Sequence, residues 1–496
     1  MTDDLVTLNE TATGRSAEAS AVPTTFVLVV AWCADEPDRL GESLVLPLAA
    51  GGSWSVFGRG EAAPSDPHPR LTLVRARPGR VEAAAPLANP RLSRLQLRLA
   101  PCGDQGVSFE RLGRAPLIHN SGDREVDHGL LQAGDTLQIG KELVLLLARR
   151  PAWQAPVDLG PDARPFAFGA PDALGLVGES PEMWRLRAQI AFMAPRREHV
   201  LITGASGTGK EKVAHALHDL SSSRPLVARN AATFPEGLID AELFGNARNY
   251  PNAGMPERPG LVGEANGSTL FLDEIGELPA TLQAHLLRVL DAGEYQRLGE
   301  GQSRRSTFRL LAATNRPYAA LKPDVLARLP LRIEVPDLNS RRDDVPLLAR
   351  HLLSEIGEGA RAEGGISLGL MTALVRHQYA TNVRELRAAL LEATAHAGSK
   401  ESPLTWVPRA LAPAAPEIER APEPASDPGL AAGTPPPRAG AAELDPARVQ
   451  EVLDRHQGNI ELAWRELGLS SRHALTRLVS RHGLRAGRSW LPAAEG

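Results

Sequence analysis

The sequence predicts a multidomain α/β protein, with a β-sandwich on the N-terminal side, a P-loop α/β domain with a helical lid at the centre and an all-α domain on the C-terminal side. The first observation is length, because 496 residues are too many for one ordinary hydrophobic core. The second is a change near residue 174, where short apolar runs punctuated by Gly, Pro and Asp give way to buried runs alternating with helical stretches. The third is a Pro/Ala-rich stretch over 407–440, typical of a tether.

Composition narrows the class of protein. A hydrophobic content of 43% and a charged content of 23% are typical of soluble globular domains. No apolar run could span a bilayer, and the polar, acidic start lacks a secretory signal, so we expect a cytoplasmic protein without a membrane segment. The net charge of −4 means that nucleic-acid binding requires a local basic patch. The two cysteines, Cys33 and Cys102, are too few for a disulfide framework or a zinc site, and we expect buried small side chains.

The patterns divide the chain into segments. Runs such as TTFVLVVAW, RLTLVRA and ELVLLLA indicate the short strands of a sandwich, whereas HVLITG, STLFLDE and FRLLAATN indicate buried strands of a largely parallel sheet. The predicted boundaries are 20–150 for the sandwich, 151–173 for a linker, 174–340 for the α/β core, 341–400 for the lid, 401–443 for the Pro/Ala-rich linker and 444–496 for the C-terminal helical domain.

A glycine-rich loop between a buried run and a helical pattern is the context that a P-loop requires. Its glycines let backbone N–H groups turn toward phosphates, and the helix N-terminus adds a favourable dipole. Lys210 would reach the β- and γ-phosphates of ATP, and Glu211 stands where a Ser or Thr usually helps to hold Mg²⁺. The predicted ATP-binding residues of this loop are Gly204, Ala205, Ser206, Gly207, Thr208, Gly209, Lys210 and Glu211.

Two carboxylates follow the apolar run TLFL. Asp273 is suited to hold Mg²⁺ through water, and Glu274 is suited to orient the water that attacks the phosphate. The run FRLLAATN then delivers Thr314 and Asn315, which are candidates to sense the γ-phosphate. The alternative for these two residues is a polar cap at the end of a strand. Together the motifs predict Mg²⁺-dependent ATP binding and hydrolysis.

Residues 174–400 resemble the AAA+ domain of sigma-54-dependent transcriptional activators, the bacterial enhancer-binding proteins. The matching stretches are LVGESPEM, GASGTGKE, RNAATFPEGLIDAELFG, STLFLDEIGELP, LLRVLDAGEYQRLG, RLLAATNR, DDVPLL and NVREL. The family's loop commonly ends in Gly-Lys-Glu, which accounts for Glu211. The resemblance implies that Asn230 restrains Glu274 until the nucleotide state changes, and that Arg384 is the lid arginine that touches the nucleotide.

The resemblance also implies a homo-oligomer. Family members act as rings, usually hexamers, and are dimers when inactive, with arginines that reach into the neighbour's site. Lys322 and Arg328 fall on the two finger positions, and only Arg328 is an arginine. Because an arginine finger contributes about 10³–10⁵ in rate, a lysine at one position predicts slow turnover. The alternative is that both residues are ordinary surface cations.

The segment VQEVLDRHQGNIELAWRELGLSSRHALTRLVSRHGL resembles the Fis-type helix-turn-helix that these activators carry. Its first predicted helix has an apolar face of Val449, Val452 and Leu453. Its third carries arginines with no acid between them, as a recognition helix needs for the phosphates and guanine edges of duplex DNA. The alternative is a solvated charged helix. The predicted DNA contacts are Ser471, Arg472, His473, Thr476, Arg477 and Arg481.

The N-terminal β region resembles a forkhead-associated (FHA) domain, through FGRG, LSRLQL and LLQAGDTLQIGKE. The resemblance implies a phosphothreonine site, because an arginine fork with a hydroxyl and backbone donors can bind a dianion. Its residues are Arg59, Ser93 and Arg94, with Asn120 to hold the peptide backbone. Gln96 replaces a family histidine that is chiefly a scaffold for the loop. A sandwich used only for protein contacts is the alternative.

The stretch ELFGNARNYPNAGMPERPG departs from the resembled family. In that family the motif GAFTGA follows ELFG, at the tip of a loop that touches the sigma-54 factor. Aligned without a gap, Asn249–Gly254 replaces GAFTGA as NYPNAG. Pro251 fixes φ and removes an N–H donor where the family places its aromatic residue. We therefore predict that the loop persists with different tip chemistry, and that RNA polymerase carrying sigma-54 is not engaged.

These inferences combine into a sigma-54-dependent-type, Fis-family transcriptional regulator. An AAA+ ring would bind ATP and Mg²⁺, bind DNA sequence-specifically and respond to a phosphothreonine protein. One alternative is an ATP-responsive regulator that does not engage sigma-54, because GAFTGA is absent. The other is a phosphopeptide-binding scaffold whose nucleotide site is only structural.

Overall fold

The structure is a computed structural model of the chain. It describes residues 22–48, 53–120, 122, 124–160, 163–222, 224–235, 237–357, 365–397, 403–411 and 446–456, and the single residues 463, 467, 475, 479 and 482. The chain forms two compact units, residues 1–414 and 415–496.

The N-terminal region consists of two antiparallel sheets that enclose a core. The strands are β1 (Thr24–Cys33), β2 (Ser43–Val45), β3 (Ser55–Phe57), β4 (Leu73–Arg77), β5 (Arg80–Ala83), β6 (Leu97–Pro101), β7 (Val107–Arg111), β8 (Leu117–His119), β9 (Glu125–Val126), β10 (His128–Leu131), β11 (Thr136–Ile139) and β12 (Leu143–Pro151). One sheet has the order β5-β4-β2-β1-β12-β11-β8-β9 and the other has the order β10-β7-β6-β3. The predicted N-terminal β-rich region is therefore confirmed.

Strands β1 and β12 lie side by side and are buried on both faces. Leu28 of β1 and Leu145 of β12 pack in the core between the two sheets. Ala31, Val144 and Leu146 belong instead to a second core, which the lid helices complete. Because alternate residues of a strand point to opposite faces, burial of both faces explains why the runs TTFVLVVAW and LVLLLA show no polar alternation.

The central region is a parallel sheet with helices. Its strands are β13 (Val200–Thr203), β14 (Val227–Asn230), β15 (Thr269–Asp273), β18 (Arg309–Thr314) and β19 (Leu331–Glu334), in the spatial order β14-β15-β18-β13-β19. The helices are α1 (Pro181–Met193), α2 (Lys210–Asp219), α3 (Ile239–Phe244), α4 (Gly260–Glu264), α5 (Ala280–Ala292) and α6 (Pro323–Ala327). A small hairpin of β16 (Glu294–Tyr295) and β17 (Arg304–Arg305) follows α5.

Both faces of the parallel sheet are covered. In β15, Leu270 and Leu272 pack in one core, whereas Phe271 packs in the core on the opposite face. The predicted α/β domain with a largely parallel sheet is confirmed. The lid follows it as α7 (Val345–Glu355), α8 (Leu368–Arg376) and α9 (Asn382–Ala395). The lid helices share their core with the N-terminal region, so the first unit is continuous from sandwich to lid.

The second unit contains helix α10 (Pro446–Arg455). Val449, Val452 and Leu453 are buried on one face of it, as the sequence pattern predicts. The predicted DNA-contacting residues of the third helix lie outside the described residues; they are Ser471, Arg472, His473, Thr476, Arg477 and Arg481.

No helix within the described ranges combines the length and the apolar character needed to cross a membrane. Both cysteines are free thiols. Cys33 is buried as expected, and burial raises the pKa of its thiol to about 11. Cys102 is only half-buried, and its Sγ lies 2.9 Å from the Ser108 Oγ.

Candidate functional site

The candidate nucleotide site lies at the carboxyl ends of the parallel strands, where ligands bind in open α/β sheets. The glycine-rich loop follows β13, Asn230 ends β14, and Asp273 ends β15 with Glu274 directly after it. Thr314 ends β18, the strand between β13 and β15. Residues far apart in the sequence are therefore delivered to one edge of the sheet.

The glycine-rich loop adopts a conformation that its glycines make possible. Gly204, Gly207 and Gly209 have φ values of 152°, 76° and 103°, in the region that side chains rarely adopt. A Cβ on Gly207 would also lie 2.1 Å from the carbonyl oxygen of Thr381 in the lid. Gly209 caps helix α2 in the left-handed conformation. The loop thus presents backbone amides at a helix N-terminus, which is suited to an anion such as phosphate.

Lys210 begins helix α2 and is buried against the loop that precedes it. Its Nζ donates to the carbonyl oxygens of Gly204 at 3.1 Å and Ala205 at 3.3 Å. The same Nζ lies 3.8 Å from the Glu274 Oε1. A fixed positive charge therefore stands between the phosphate-binding loop and the candidate catalytic carboxylate.

Backbone amides hold the two carboxylates. The Asp273 Oδ1 accepts from the Glu274 N at 3.0 Å, and the Glu274 Oε2 accepts from the Asn315 N at 3.2 Å. Glu274 itself has φ of 52°, a left-handed conformation that costs free energy in a non-glycine residue. Asn230 donates through its Nδ2 to the Asp273 Oδ2 at 3.4 Å. Its amide thus contacts the neighbour of Glu274, and the restraint of Glu274 by Asn230 stays a prediction.

The lid closes over the phosphate-binding loop. The Val383 N donates to the Gly207 carbonyl at 3.1 Å, and the Arg384 guanidinium donates to the Ser206 Oγ at 3.1 Å. Asn382 is buried, with φ of 53°, and its side chain links the Ser206 carbonyl to the Leu338 amide at 2.9 and 2.7 Å. Sequence reasoning missed Asn382, although it begins the NVREL stretch.

Loop, carboxylates and lid enclose a cavity of about 360 Å³. It is lined by Lys210, Asp273, Glu274 and Arg384, as the sequence predicts, and also by residues that the sequence did not single out. The unpredicted lining residues include Leu176, Val177, Arg341, His351, Leu352 and Arg387. The cavity thus joins cations near the phosphate-binding loop to an apolar wall, an arrangement suited to a nucleotide.

Asp273 and Glu211 both line the cavity, so two carboxylates border the same space as the phosphate-binding loop. Within the described part of the chain, no cluster of three or more His, Cys, Asp or Glu side chains could hold a metal by itself. Mg²⁺ needs no such cluster, because it is usually held by one or two carboxylates together with phosphates and waters. These residues therefore fit Mg²⁺ that arrives with a nucleotide.

Buried charges lie behind the cavity. Asp344 accepts through its carboxylate from the Glu179 N at 2.7 Å and the Ser180 N at 3.0 Å. Burial, and then the charge of Asp343, raise the pKa of Asp344 to about 6. Burial also lowers the pKa of the Arg341 guanidinium, which lines the cavity. These groups tie the start of helix α7 to the segment before helix α1.

The remaining predicted nucleotide-site residues lie at the periphery. Thr314 is buried, and its Oγ1 accepts from the Arg316 N at 3.1 Å. Lys322 precedes helix α6, and Arg328 at the end of that helix pairs with Asp291 on the surface. Neither Lys322 nor Arg328 lines the chain's own cavity. Their action on a neighbouring subunit stays a prediction.

Arg59, Ser93 and Arg94 are brought together on the sandwich. The Arg59 N donates to the Ser93 carbonyl at 3.1 Å, and a Cβ on Gly58 would lie 2.2 Å from the Arg94 carbonyl oxygen. The Ser93 Oγ accepts from the Arg114 N at 3.1 Å. These contacts join the two loops through their backbones, and the Arg59 Nε itself donates to the Leu92 carbonyl at 2.8 Å.

Gln96 holds these loops together. It is fully buried, its Oε1 accepts from the Ser93 N at 3.1 Å, and its Nε2 donates to the Ala115 carbonyl at 3.0 Å. A neutral side chain with one acceptor and two donors can thus crosslink two loops. Gln96 therefore links the Ser93 loop to the Ala115 loop, and the correspondence of this region to an FHA domain stays a prediction.

Asn120 is not part of this cluster. It follows β8, at the opposite end of that strand from the Ala115 loop, and its Nδ2 donates to the Asp135 Oδ1 at 2.6 Å. Its Oδ1 accepts from the Thr136 N at 2.9 Å, and its carbonyl accepts from Arg376 of the lid. The polar groups of Asn120 therefore serve the sandwich and its contact with the lid.

Residues 249–254, with the sequence NYPNAG, form a closed loop. The Asn249 N donates to the Met255 carbonyl at 2.9 Å, which pairs the two arms. Buried Asn246 donates to the carbonyls of Tyr250 at 3.2 Å and Pro256 at 2.9 Å. Tyr250 lies against Gly299, where an added Cβ would be 2.4 Å from its ring. The loop's aromatic side chain is thus turned toward the β16–β17 hairpin.

Comparisons with known proteins agree with this site. Residues 176–335 match the sigma-54 interaction domain family, and residues 339–423 match the AAA+ ATPase lid domain family. The chain is 41% identical over 245 residues to the transcriptional regulatory protein ZraR of Escherichia coli strain K12, which is 46% of this chain and 56% of ZraR. It therefore spans little more than half of that relative.

A longer match is with the anaerobic nitric oxide reductase transcription regulator NorR of Aeromonas hydrophila. The two are 36% identical over 365 residues, which is 69% of this chain and 69% of NorR. Among solved structures, NtrX from Brucella abortus in complex with ATP is 26% identical, with a TM-score of 0.45, over 62% of this chain and 69% of that chain.

Proposed function

This chain belongs to the family of sigma-54-dependent transcriptional regulators, and from that premise we propose that it is a cytoplasmic AAA+ ATPase that regulates transcription from DNA as an oligomeric ring. The observation that carries the proposal is the convergence of Lys210, Asp273 and Glu274 on one cavity under the lid. Each side chain has a distinct role in phosphoryl transfer to water.

Lys210 would bind the β- and γ-phosphates, since its ammonium already lies among the carbonyls of the phosphate-binding loop. Glu274 would orient the attacking water and accept its proton. Its carboxylate lies 3.8 Å from the Lys210 ammonium, and therefore beside the place where the γ-phosphate would bind. Asp273 and Glu211 would hold Mg²⁺, which when bound neutralises charge on the phosphates. Arg384 would close the lid on the nucleotide, and Arg328 would complete a neighbour's site.

A second candidate function is favoured by the closed NYPNAG loop. Within the family, this chain would use its ATPase ring at ordinary promoters or on a protein partner, without engaging sigma-54. The reason is that Asn246 and the Asn249–Met255 pair hold the loop's tip on itself, and Pro251 lacks the backbone donor. Reconstituted transcription with sigma-54 polymerase and with the ordinary polymerase form tests both candidates.

We further propose that the sandwich is FHA-like and binds phosphothreonine. The full chain is expected to bind a phosphothreonine peptide at least about 10-fold more tightly than the unmodified peptide, because a dianion gains charge-assisted hydrogen bonds. Arg59→Ala is expected to remove the preference, whereas Arg80→Ala, an exposed arginine on β5, serves as the control. Fluorescence anisotropy measures the affinity of each variant for the phosphorylated and the unmodified peptide. Equal affinities in the wild type would leave the sandwich as a protein-contact domain only.

We also propose that the C-terminal domain is a helix-turn-helix that binds duplex DNA. Binding by the full chain is expected to weaken linearly with salt on a double-logarithmic plot, and Arg477→Ala with Arg481→Ala should reduce that slope by about 2. Arg448→Ala, an exposed arginine on helix α10, is the matched control, because it lies outside the recognition helix. Titrations from low to high salt supply the slopes. An unchanged slope in the double variant would remove these arginines from the interface.

A further inference from the structure

Helix α7 of the lid has two functional faces. His351, Leu352 and Glu355 line the nucleotide cavity, at the spacing that places residues on one side of a helix. Leu347, one residue before the cavity-lining Leu348, faces the sandwich instead: its Cδ1 lies 3.2 Å from where a Cβ on Gly41 would be. A single helix thus separates the nucleotide cavity from the sandwich.

The sandwich is packed on the lid over a wide surface. Ala31, Val144 and Leu146 share the lid's hydrophobic core, although the sandwich has a complete core of its own. The Trp32 Nε1 donates to the Ile366 carbonyl at 2.7 Å, immediately before helix α8. This surface is therefore an interface inside one compact unit of the chain.

A buried ion pair links the sandwich to the start of helix α7. Arg150, near the end of β12, donates through Nε to the Asp343 Oδ2 at 3.0 Å, and both side chains are less than a tenth exposed. The next residue, Asp344, accepts from the Glu179 N and the Ser180 N. Asp343 and Asp344 therefore connect the sandwich to the segment before helix α1.

A second pair reinforces the first. Arg77 of β4 donates through Nε to the Glu179 Oε2 at 3.0 Å and through Nη2 to the Glu179 Oε1 at 2.5 Å. Glu179 is buried and stands two residues after Val177, which with Leu176 forms the apolar wall of the cavity. The sandwich thus contacts the segment before helix α1 and the start of helix α7, and each of them continues into residues that line the cavity.

We propose that the N-terminal sandwich supports the wall of the nucleotide cavity, and that Arg150 is a positioning residue that sets nucleotide affinity. Through Asp343 it holds helix α7, and through Asp344 it holds the Leu176–Val177 wall. If nucleotide binds more tightly when the sandwich contacts the lid, then bound nucleotide must stabilise that contact by the same free energy. The inference rests on the proposed binding of ATP.

The test compares full-length variants in binding a fluorescent ADP analogue and in ATP turnover. Arg150→Met is expected to weaken nucleotide binding about 10-fold, with kcat at saturating ATP within about twofold of wild type, because Glu274 lies on another element. Arg150→Met with Asp343→Leu is expected to recover affinity to within about threefold, since replacing both charges leaves no buried unpaired carboxylate. Arg98→Met, which breaks the Arg98–Glu110 pair on β6 and β7, is the matched control and should bind as wild type.

Hydrogen exchange of the wild type keeps the inference testable if Arg150→Met does not fold. Nucleotide is expected to slow exchange in β1 and β12 more than in β6 and β7, which do not contribute to the lid's core. Equal protection of all four strands, or unchanged affinity in a folded Arg150→Met, overturns the inference and leaves the proposed function standing. Absence of nucleotide binding in the wild type overturns the proposed function and this inference together.

Discussion

Glu274→Gln is expected to stop ATP hydrolysis while sparing ATP binding. The amide keeps the size of the side chain and can still accept from the Asn315 N, but it cannot take a proton from water. Loss of a general base costs about 10²–10⁴ in rate. Phosphate release measures the rate, and a fluorescent nucleotide analogue measures binding.

Glu277→Gln is the matched control, because Glu277 lies three residues further on and pairs with Arg316 outside the cavity. Lys210→Ala is expected to abolish ATP binding itself, because the phosphates lose the positive charge that holds them. A Glu274→Gln protein that hydrolyses ATP at the wild-type rate would show that another group activates the water. A wild type that binds ATP without any turnover would favour the phosphopeptide-binding scaffold.

The unmodified protein is expected to form no open complexes at a sigma-54 promoter, and grafting GAFTGA onto 249–254 should restore binding to sigma-54 in the presence of an ATP transition-state mimic. Central contacts in a protein interface are worth about 2–4 kcal/mol each, so their replacement can abolish the complex. In this chain, Asn246 donates to the carbonyls of Tyr250 and Pro256 and so ties the two arms of the loop together, and Pro251 has no backbone N–H to offer a partner. Gel-shift and promoter-melting assays measure binding and opening.

The control for the graft is a scrambled GAFTGA of the same composition at the same positions. The scrambled loop has the same composition as the graft and also lacks Pro251. It therefore shows whether sigma-54 binding requires the order of residues in GAFTGA or only the removal of the NYPNAG loop. Open complexes formed by the unmodified protein as fast as by a GAFTGA-bearing activator would contradict the prediction. The chain would then act as an ordinary member of its family, with NYPNAG as a working variant of the tip.

The parts of the nucleotide site that lie within short sequence motifs could be predicted from the sequence. The phosphate-binding loop and the pair Asp273–Glu274 each follow a buried strand directly, and parallel strands deliver such residues to one edge of the sheet. The apolar wall could not be predicted in the same way. Leu176 begins the LVGESPEM stretch and His351 lies within a lid helix, but no pattern in either segment indicates that its side chain lines the cavity.

Long-range polar contacts were equally beyond the sequence pattern. Arg150 and Asp343 are separated by 193 positions, and although Asp343 begins the DDVPLL stretch, no local pattern indicates that the two side chains pair. The double burial of β1 and β12 was visible as continuous apolar runs, but periodicity does not reveal which element covers the second face. For Asn120 the sequence pattern was present but the contacts were not foreseen. Its position suited the FHA pattern, whereas its polar groups hydrogen-bond with Asp135, Thr136 and the lid.

The second faces of β1 and β12 have a consequence for how this protein can be divided. A shortened chain that begins near residue 174 would present to water the lid surface that normally covers Val144 and Leu146, at a cost of about 1.5–3 kcal/mol for each large apolar side chain exposed. It would also lose the Arg150–Asp343 pair, which joins β12 to the start of helix α7. Such a fragment should therefore aggregate, and we expect the same result when another domain replaces the sandwich by recombination within residues 151–173.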